Sequence, residues 1–271
     1  MIEIDYQDLC PDFPNGGRIG IIPWDTETFG FPVADYLPGE HGCDSSLSHA
    51  DLRKSLEAWA EPRAVELVAA TVPAKDIRTL CHLQEAGFRY NDATIRILYP
   101  HVQKVKLRPK KFSVEYAEPR DHDQVMAIAE TAFASGRYHA DPRFPRELAN
   151  RRYRDWLRRA LAGENFQRVL VARDKEGRVK GISIAMEKGE RGDPILLAVA
   201  PELIGTTFGI RLGVATYHYF QEQGVQIGYS KISISNTGAH NLHSYLGAHF
   251  IDPEIILHWH APRAPHLLDP V

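Results

Sequence analysis

The sequence predicts an α/β protein, because short apolar runs typical of strands alternate with segments whose apolar residues recur every three to four positions. Residues 195–221 show this order most clearly. An apolar run at residues 195–200 is short enough for a buried strand, Pro201 ends it, and a glycine-containing turn leads into a helix. Four residues form the apolar face of that helix: Phe208, Leu212, Ala215 and Tyr219.

This strand–turn–helix junction is also a candidate anion site. Backbone N–H groups at a helix start lack partners within the helix, and the helix dipole favours negative charge there, so such a turn can hold a phosphate. An ordinary junction in the core of an α/β protein has the same pattern, and only other parts of the chain can distinguish the two interpretations.

Composition excludes several classes of protein. The chain has 271 residues, 44% hydrophobic and 25% charged, which suits one large domain or two small ones. A net charge of −3 argues against a nucleic-acid partner. Cys10, Cys43 and Cys81 are far apart, the N-terminal stretch carries acids, and no apolar run is long enough to span a membrane. We therefore expect a soluble, cytoplasmic protein without a membrane partner.

The first third of the chain predicts a β-rich unit with two helices. Ser48, with Asp51 three residues later, is typical of a helix start. A second helix is predicted to open at Pro73 and to close at Gly87. The inward faces of these helices are predicted to comprise Leu52, Leu56 and Trp59, and Ile77, Leu80 and Cys81. Strands are predicted at residues 2–6, 18–23, 64–71 and 88–99.

A polar, basic stretch with two prolines, residues 100–111, is the best candidate for a boundary between domains at 1–107 and 108–271. The second part begins with a predicted strand at 112–117 and helices at 121–133 and 145–162. A hairpin of 167–173 and 178–186 precedes the strand–turn–helix at 195–221. Strands at 231–235 and 255–260 then flank a helix at 237–246, capped by Asn236 or Ser235.

This order of elements, over residues 112–262, resembles the GCN5-related N-acetyltransferase (GNAT) fold. The most specific stretches are PELIGTTFGIRL (201–212), at the position of the family's acyl-CoA pyrophosphate loop, and NTGAHNLHSYLGAHF (236–250), which is similar to its late helix. WDTETFGF (24–31) and SGRYHADPRF (135–144) resemble two-domain nucleotide-sugar acetyltransferases. The resemblance implies a mixed, largely antiparallel sheet flanked by helices, with a smaller, partial GNAT-like domain at 1–107.

The phosphate loop departs from the family pattern. Where Arg-Gly-Lys-Gly-Ile-Gly is common, this chain has Ile-Gly-Thr-Thr-Phe-Gly at 204–209, so Gly205 and Gly209 remain while both basic residues and the central glycine are missing. Thr207 places a Cβ where the backbone approaches the pyrophosphate. Hydroxyls of Thr206 and Thr207 and backbone N–H groups from Gly205 to Ile210 are expected to remain as donors. The acyl donor is then coenzyme A in an altered pose, or the phosphopantetheine arm of a carrier protein.

The resemblance implies that an acceptor amine attacks an acyl-CoA thioester directly. The pantetheine would lie along residues 196–199, and the oxyanion would meet a backbone N–H near Ala198 or Val199. The predicted contacts of the acyl-CoA co-substrate are Leu197, Ala198, Val199, Gly205, Thr206, Thr207, Phe208, Gly209, Ile210 and Asn236.

The position where the family often has its tyrosine acid falls on His243, with Tyr245 on another helix face. A histidine near its ordinary pKa can donate a proton to the departing thiolate, although a histidine without a role fits the pattern equally.

The segment that the resemblance places at the acceptor side contains two candidate bases, His139 and Asp141. Arg137 and Tyr138 are predicted to bind substrate, since a guanidinium suits the oxygens of a diphosphate. An ordinary loop with a turn at Asp141 is the alternative.

Thirteen histidines raise the possibility of a metal site, with His240 and His243 one helical turn apart and His258 and His260 alternating on a strand. Without an HExxH motif or a cysteine pair, we expect scattered structural or surface histidines and no metal.

The sequence therefore predicts a cytoplasmic acyl-CoA-dependent N-acyltransferase that transfers an acetyl or hydroxyacyl group to the amine of a nucleotide-linked amino sugar. A homodimer is expected from the resemblance. Two alternatives stay open: a carrier-protein thioester as donor, or a non-catalytic module that binds an acyl group or nucleotide sugar.

Overall fold

The computed structural model describes residues 4–39, 48–109, 111–132 and 136–268. Cys43 and the segment 133–135, which includes the end of one predicted helix, lie outside these ranges. No helix in the described part of the chain is both long and apolar enough to cross a bilayer.

Eleven strands and eight helices occur in the described ranges. The strands are β1 (Gln7–Phe13), β2 (Gly17–Ile21), β3 (Val33–Leu37), β4 (Leu67–Pro73), β5 (Arg89–Tyr99), β6 (Glu115–Tyr116), β7 (Gln167–Arg173), β8 (Val179–Lys188), β9 (Arg191–Val199), β10 (Ile227–Ser233) and β11 (His249–His260). The helices are α1 (Pro23–Phe29), α2 (His49–Ala60), α3 (Ile77–Glu85), α4 (His122–Ala132), α5 (Arg137–Ala140), α6 (Arg146–Leu161), α7 (Phe208–Glu222) and α8 (Thr237–Tyr245).

The chain divides into two compact units that interleave along the sequence. Unit 1 comprises the described parts of Met1–Thr94, Gly136–Arg152 and Asp252–Val271, and unit 2 those of Ile95–Ser135 and Tyr153–Ile251. The division into consecutive domains at 1–107 and 108–271 stays a prediction.

In unit 1 the strand order is β1-β2-β3-β4-β11. Strand β3 pairs with β4 in parallel, whereas β4 and β11 are antiparallel from Leu67 opposite His260 to Pro73 opposite Glu254. Two apolar cores stabilise the unit. One contains Leu52, Leu56 and Trp59 of α2, as the sequence predicted, and the other is an aromatic cluster around Phe29.

In unit 2 the order is β5-β10-β9-β8-β7-β6. The pairs β6–β7, β7–β8 and β8–β9 are antiparallel, and β9–β10 is parallel. One core includes buried residues of α7 and α8, and the other those of α4 and α6. The mixed, largely antiparallel sheet flanked by helices that the sequence predicted is confirmed.

Two predicted elements of unit 1 are wrong. Residues 4–6 of the predicted first strand precede β1. The second helix does not open at Pro73, because strand β4 continues through this residue and Asp76 caps the helix by accepting a hydrogen bond from Thr79 N. The later start turns Ile77 outward, 61% exposed.

Candidate functional site

Strand β9 has one edge without a strand partner over most of its length. It pairs with β8 as far as Val199 opposite Gly181, whereas its parallel pairing with β10 covers only Arg191 and Gly192. Within the described residues, the segment 194–199 of β9 thus has no partner on β10. Alternate main-chain groups on that edge can pair with an extended ligand, as the sequence predicted for the residues Leu197, Ala198 and Val199.

The predicted phosphate turn follows β9 and ends at helix α7. Gly205 has a φ of +79°, a conformation that favours glycine. Gly209 and Ile210 are the second and third residues of α7, where backbone N–H groups have no partner within the helix.

The number of free donors in this turn is smaller than the sequence analysis expected. The backbone N–H of Thr206 donates to Leu203 O over 3.1 Å, and its hydroxyl also donates to that oxygen over 2.6 Å. The same hydroxyl oxygen accepts from Phe208 N over 3.1 Å. The expectation that every donor from Gly205 to Ile210 is available is therefore wrong for the Thr206 and Phe208 N–H groups and for the Thr206 hydroxyl.

Space is open at both retained glycines. A Cβ added at Gly209 would meet only Val199 Cγ1, at 4.0 Å, and one at Gly205 would meet nothing within 4 Å. A ligand can therefore approach the backbone there. The turn supplies N–H donors and the helix dipole, but residues 203–210 contain no lysine or arginine.

Helix α8 carries three predicted site residues in different environments. The Asn236 side chain accepts a hydrogen bond from Ala239 N over 3.0 Å, so it acts as the N-cap that the sequence predicted. His243 is 4% exposed, and its Nδ1 lies 2.8 Å from Tyr99 Oη.

The premise that His243 has an ordinary pKa is wrong. Burial lowers the pKa of this imidazole to about 4, because the charged form loses its hydration, and nearby His240 adds a smaller effect in the same direction. At neutral pH the imidazole is uncharged, which argues against His243 as the proton donor.

This burial predicts a pH dependence of stability. The unfolded chain takes up a proton at His243 near pH 6.5, but the folded protein does so only near pH 4. Between these values the unfolded state binds more protons, so the free energy of unfolding falls as the pH falls, by up to about 1.4 kcal/mol per pH unit from this residue. Urea unfolding at pH 7, 6 and 5 should show a shallower fall in His243→Asn than in the unsubstituted protein. Equal slopes would contradict the prediction, whatever the stability of the variant at pH 7.

Tyr245 is 43% exposed and lines a cavity of about 390 Å³ together with Lys104 and Lys106. The Arg108 guanidinium lies over its ring, 5.4 Å from the centroid. Of the two predicted acids, Tyr245 has the side chain that is exposed to solvent, whereas His243 is buried.

The predicted acceptor-side residues lie in unit 1, and Arg137 is already neutralised there. Its guanidinium lies 3.0 Å from Asp25 Oδ2 and 3.2 Å from Asp35 Oδ1. Tyr138 donates its hydroxyl hydrogen to Asp25 over 2.5 Å, and Arg152 contacts the other Asp25 oxygen over 2.6 Å. Because two carboxylates already pair with Arg137, the structure argues against its predicted contact with a diphosphate. The hydroxyl of the buried Tyr138 contacts Asp25, which argues against the predicted substrate contact of Tyr138.

Asp141 is buried between two histidines. His258 Nδ1 and His260 Nε2 lie 2.7 and 2.8 Å from the same carboxylate oxygen. Burial alone would raise the pKa of Asp141, but the hydrogen bonds from His258 and His260 outweigh it and hold the pKa well below its usual range. A carboxylate of such low basicity is a poor general base, which argues against the role predicted for Asp141.

His139, the other candidate base, donates from Nε2 to Asn150 Oδ1 over 2.8 Å, because an amide oxygen only accepts. The nitrogen left to accept a proton is therefore Nδ1, which is buried, and burial also lowers the pKa of the imidazole. Both features argue against the role predicted for His139.

The sequence analysis expected scattered structural or surface histidines, and the buried His258 and the partly buried His260 are gathered around Asp141. Asp141, His258 and His260 offer three ligand atoms within 4.8 Å of one another, a donor set that transition metals accept. Hydrogen bonds within the cluster already satisfy these atoms, so the fold has no need of an ion there. The expectation of no metal stays a prediction.

The sequence analysis did not identify the contacts that hold segment 137–141 in place, which come from Asp25, Asp35 and His258. One signal was present: Asp25 belongs to WDTETFGF and Arg137 to SGRYHADPRF, the two stretches that carried the resemblance to sugar acetyltransferases. The ion pair between Asp25 and Arg137 joins these two stretches in unit 1.

Comparison with solved structures decides the fold. A GCN5-related N-acetyltransferase from Sphaerobacter thermophilus aligns with 90% of this chain and 76% of its own, at a TM-score of 0.65 and 14% identity. The chain has the GCN5-related N-acetyltransferase fold. The resemblance predicted from the sequence is thereby confirmed at the level of the fold.

Two further proteins are similar to this GNAT-fold chain. The glucosamine N-acetyltransferase region of a fungal multi-domain GH3 β-N-acetylglucosaminidase aligns with 90% of this chain and 31% of its own, at a TM-score of 0.62 and 15% identity. The spore coat polysaccharide biosynthesis protein SpsD of Bacillus subtilis (strain 168) is 24% identical over 214 residues, which cover 78% of this chain and 73% of that protein. No family model matches the chain.

Proposed function

We propose that this protein is an N-acyltransferase that moves a short acyl group from a coenzyme A thioester to the amine of a nucleotide-linked amino sugar. The observation that carries the proposal is the unpaired edge of β9 leading into an open turn at the N-terminus of α7. An extended pantetheine fits such an edge, and a pyrophosphate fits the N–H groups of Gly209 and Ile210. The similarity to SpsD, a spore coat polysaccharide biosynthesis protein, and to the fungal glucosamine N-acetyltransferase region supports a sugar as acceptor.

In the proposed reaction the acceptor nitrogen attacks the thioester carbonyl, and the carbon–sulfur bond breaks as the amide forms. Backbone N–H groups near Ala198 and Val199 stabilise the oxyanion. A base takes the proton released by the amine. Tyr245 donates a proton to the thiolate, directly or through water, because the buried, uncharged His243 is unsuited to that step.

A carrier-protein thioester is the second candidate donor. The turn contains no basic residue, and two of its N–H groups have internal partners, so it neutralises a pyrophosphate less well than the common family loop does. A phosphopantetheine arm carries a single phosphate, so the turn has less negative charge to neutralise.

The proposal is tested by release of free thiol. Acetyl-CoA, 3-hydroxybutyryl-CoA and an acetylated carrier protein are each offered with a panel of nucleotide-linked amino sugars. We expect thiol release with at least one CoA donor, and a slower rate in Tyr245→Phe than in His243→Asn. Release only with the carrier protein would favour the second donor. No release with any donor, together with an unchanged melting temperature in coenzyme A, would contradict acyl transfer.

A further inference from the structure

Unit 1 contains a cavity of about 330 Å³ whose lining includes three arginines. Helix α2 contributes Arg53 and Glu57, the start of β5 contributes Arg89, and the segment after α5 contributes Arg143. His260, at the end of β11, completes the polar lining. The lining thus contains three guanidinium groups and one carboxylate.

The arginines of this cavity have no salt bridge to a carboxylate within the part of the chain that the structure describes. Arg143 Nε donates to the backbone oxygen of Leu268 over 3.0 Å, which leaves its terminal nitrogens for another partner. Like charges gathered in one cavity raise the free energy of the folded protein, and an anion between them lowers it.

Local structure holds these groups in position. Gly87 has a φ of +104°, and a Cβ there would lie 2.7 Å from Arg53 Nη2 and 3.1 Å from its Nε. The glycine therefore permits both the turn into β5 and the seating of the Arg53 guanidinium against the backbone. His260 is held by its hydrogen bond to the buried Asp141. Such prearranged donors lose little entropy on binding.

We propose that this cavity is a binding site for a phosphate or diphosphate group. Planar guanidinium groups pair with phosphate oxygens through two parallel hydrogen bonds, and the cavity volume lies near the lower end of the range for small-ligand sites, about 300–1,000 Å³. All residues that line the proposed site belong to unit 1, so the proposal does not depend on acyl transfer by the protein. The ligand is a free inorganic anion or the diphosphate of a nucleotide.

The test is calorimetric titration of the full chain with inorganic phosphate, pyrophosphate, UDP and dTDP. At least one of these anions should bind, and both Arg53→Gln and Arg89→Gln should weaken its binding at least about tenfold. The matched control is Arg78→Gln, an exposed arginine of α3 outside the cavity lining. Without ligand, both cavity variants should melt no lower than the unsubstituted protein, because removing a like charge relieves repulsion.

Tighter binding of UDP or dTDP than of pyrophosphate would support the site and identify a nucleotide as its ligand. Equal or weaker binding of the nucleotides would support the site with a free anion. Failure of all four anions to bind, or equal affinities in Arg53→Gln, Arg89→Gln and Arg78→Gln, would overturn the proposal.

Discussion

Replacing Asp25 with asparagine is expected to lower the free energy of unfolding by about 3–5 kcal/mol, the usual cost of removing one partner from a buried ion pair. The Asp25 side chain is fully buried and contacts the guanidinium groups of Arg137 and Arg152 as well as the Tyr138 hydroxyl. Asparagine keeps the shape but removes the negative charge, so both partly buried guanidinium groups lose their ion pair with Asp25.

The pKa of Asp25 supports this expectation. Burial by itself raises the pKa of this carboxyl, yet the charges of Arg152 and Arg137 outweigh burial and hold the pKa below its ordinary value. The carboxylate is therefore ionised in the folded protein, and its charge stabilises the fold at neutral pH.

Urea unfolding of Asp25→Asn checks the prediction, with Asp8→Asn as the control. Asp8 also faces an arginine, Arg63, in unit 1, but the Asp8 side chain is 64% exposed and lies 3.7 Å from Arg63 Nε, so the control should change stability by less than about 1 kcal/mol. The φ of Asp8 is +47°, which asparagine adopts as readily. Equal effects of the two substitutions would show that the Asp25 network does not stabilise unit 1.

Replacing Gly209 with aspartate is expected to weaken coenzyme A binding roughly a hundredfold or more. If the pyrophosphate binds at the start of α7, a carboxylate there lies within a few ångströms of it. Two like charges 4 Å apart repel by about 4 kcal/mol near a protein surface, and salt reduces part of this repulsion. The folded state itself should tolerate the change, because a Cβ at Gly209 has only Val199 in reach, at 4.0 Å.

Two controls separate charge from size and position. Gly209→Asn has the same volume without the charge and should lose much less affinity for coenzyme A than Gly209→Asp. Ala50→Asp places an acid at the exposed second residue of α2, the equivalent position of another helix, and should leave coenzyme A binding unchanged. Both acidic variants should unfold no more readily than the unsubstituted protein, since an acid in the first turn favours the helix. Unchanged affinity in Gly209→Asp would contradict pyrophosphate binding at this turn.

The elements of the fold could be predicted wherever their signals were local. Helix α2 begins after Ser48, whose side chain accepts a hydrogen bond from Asp51 N, as the spacing of these two residues predicted. Strand β7 matches the predicted range, and Asn236 caps α8. The start of α3 could not be predicted from proline alone, because the pairing of Pro73 with Glu254 of a distant segment decides where the preceding strand ends.

Local signals in the sequence predicted most strands and helices in their order, but not α1, β3 and α5, and they placed the strand–turn–helix junction, since periodicity, caps and glycines act within a few residues. The GNAT-like fold was expected from the resemblance. Only the tertiary structure decided the ionisation and pairing of the polar residues. Asp25 meets Arg137 across 112 residues of chain, and Asp141 meets His258 across 117. Burial of His243 likewise depends on Tyr99, 144 residues away. Charge and pKa follow from exclusion of solvent and from partners distant in sequence, and neither is encoded in a local pattern.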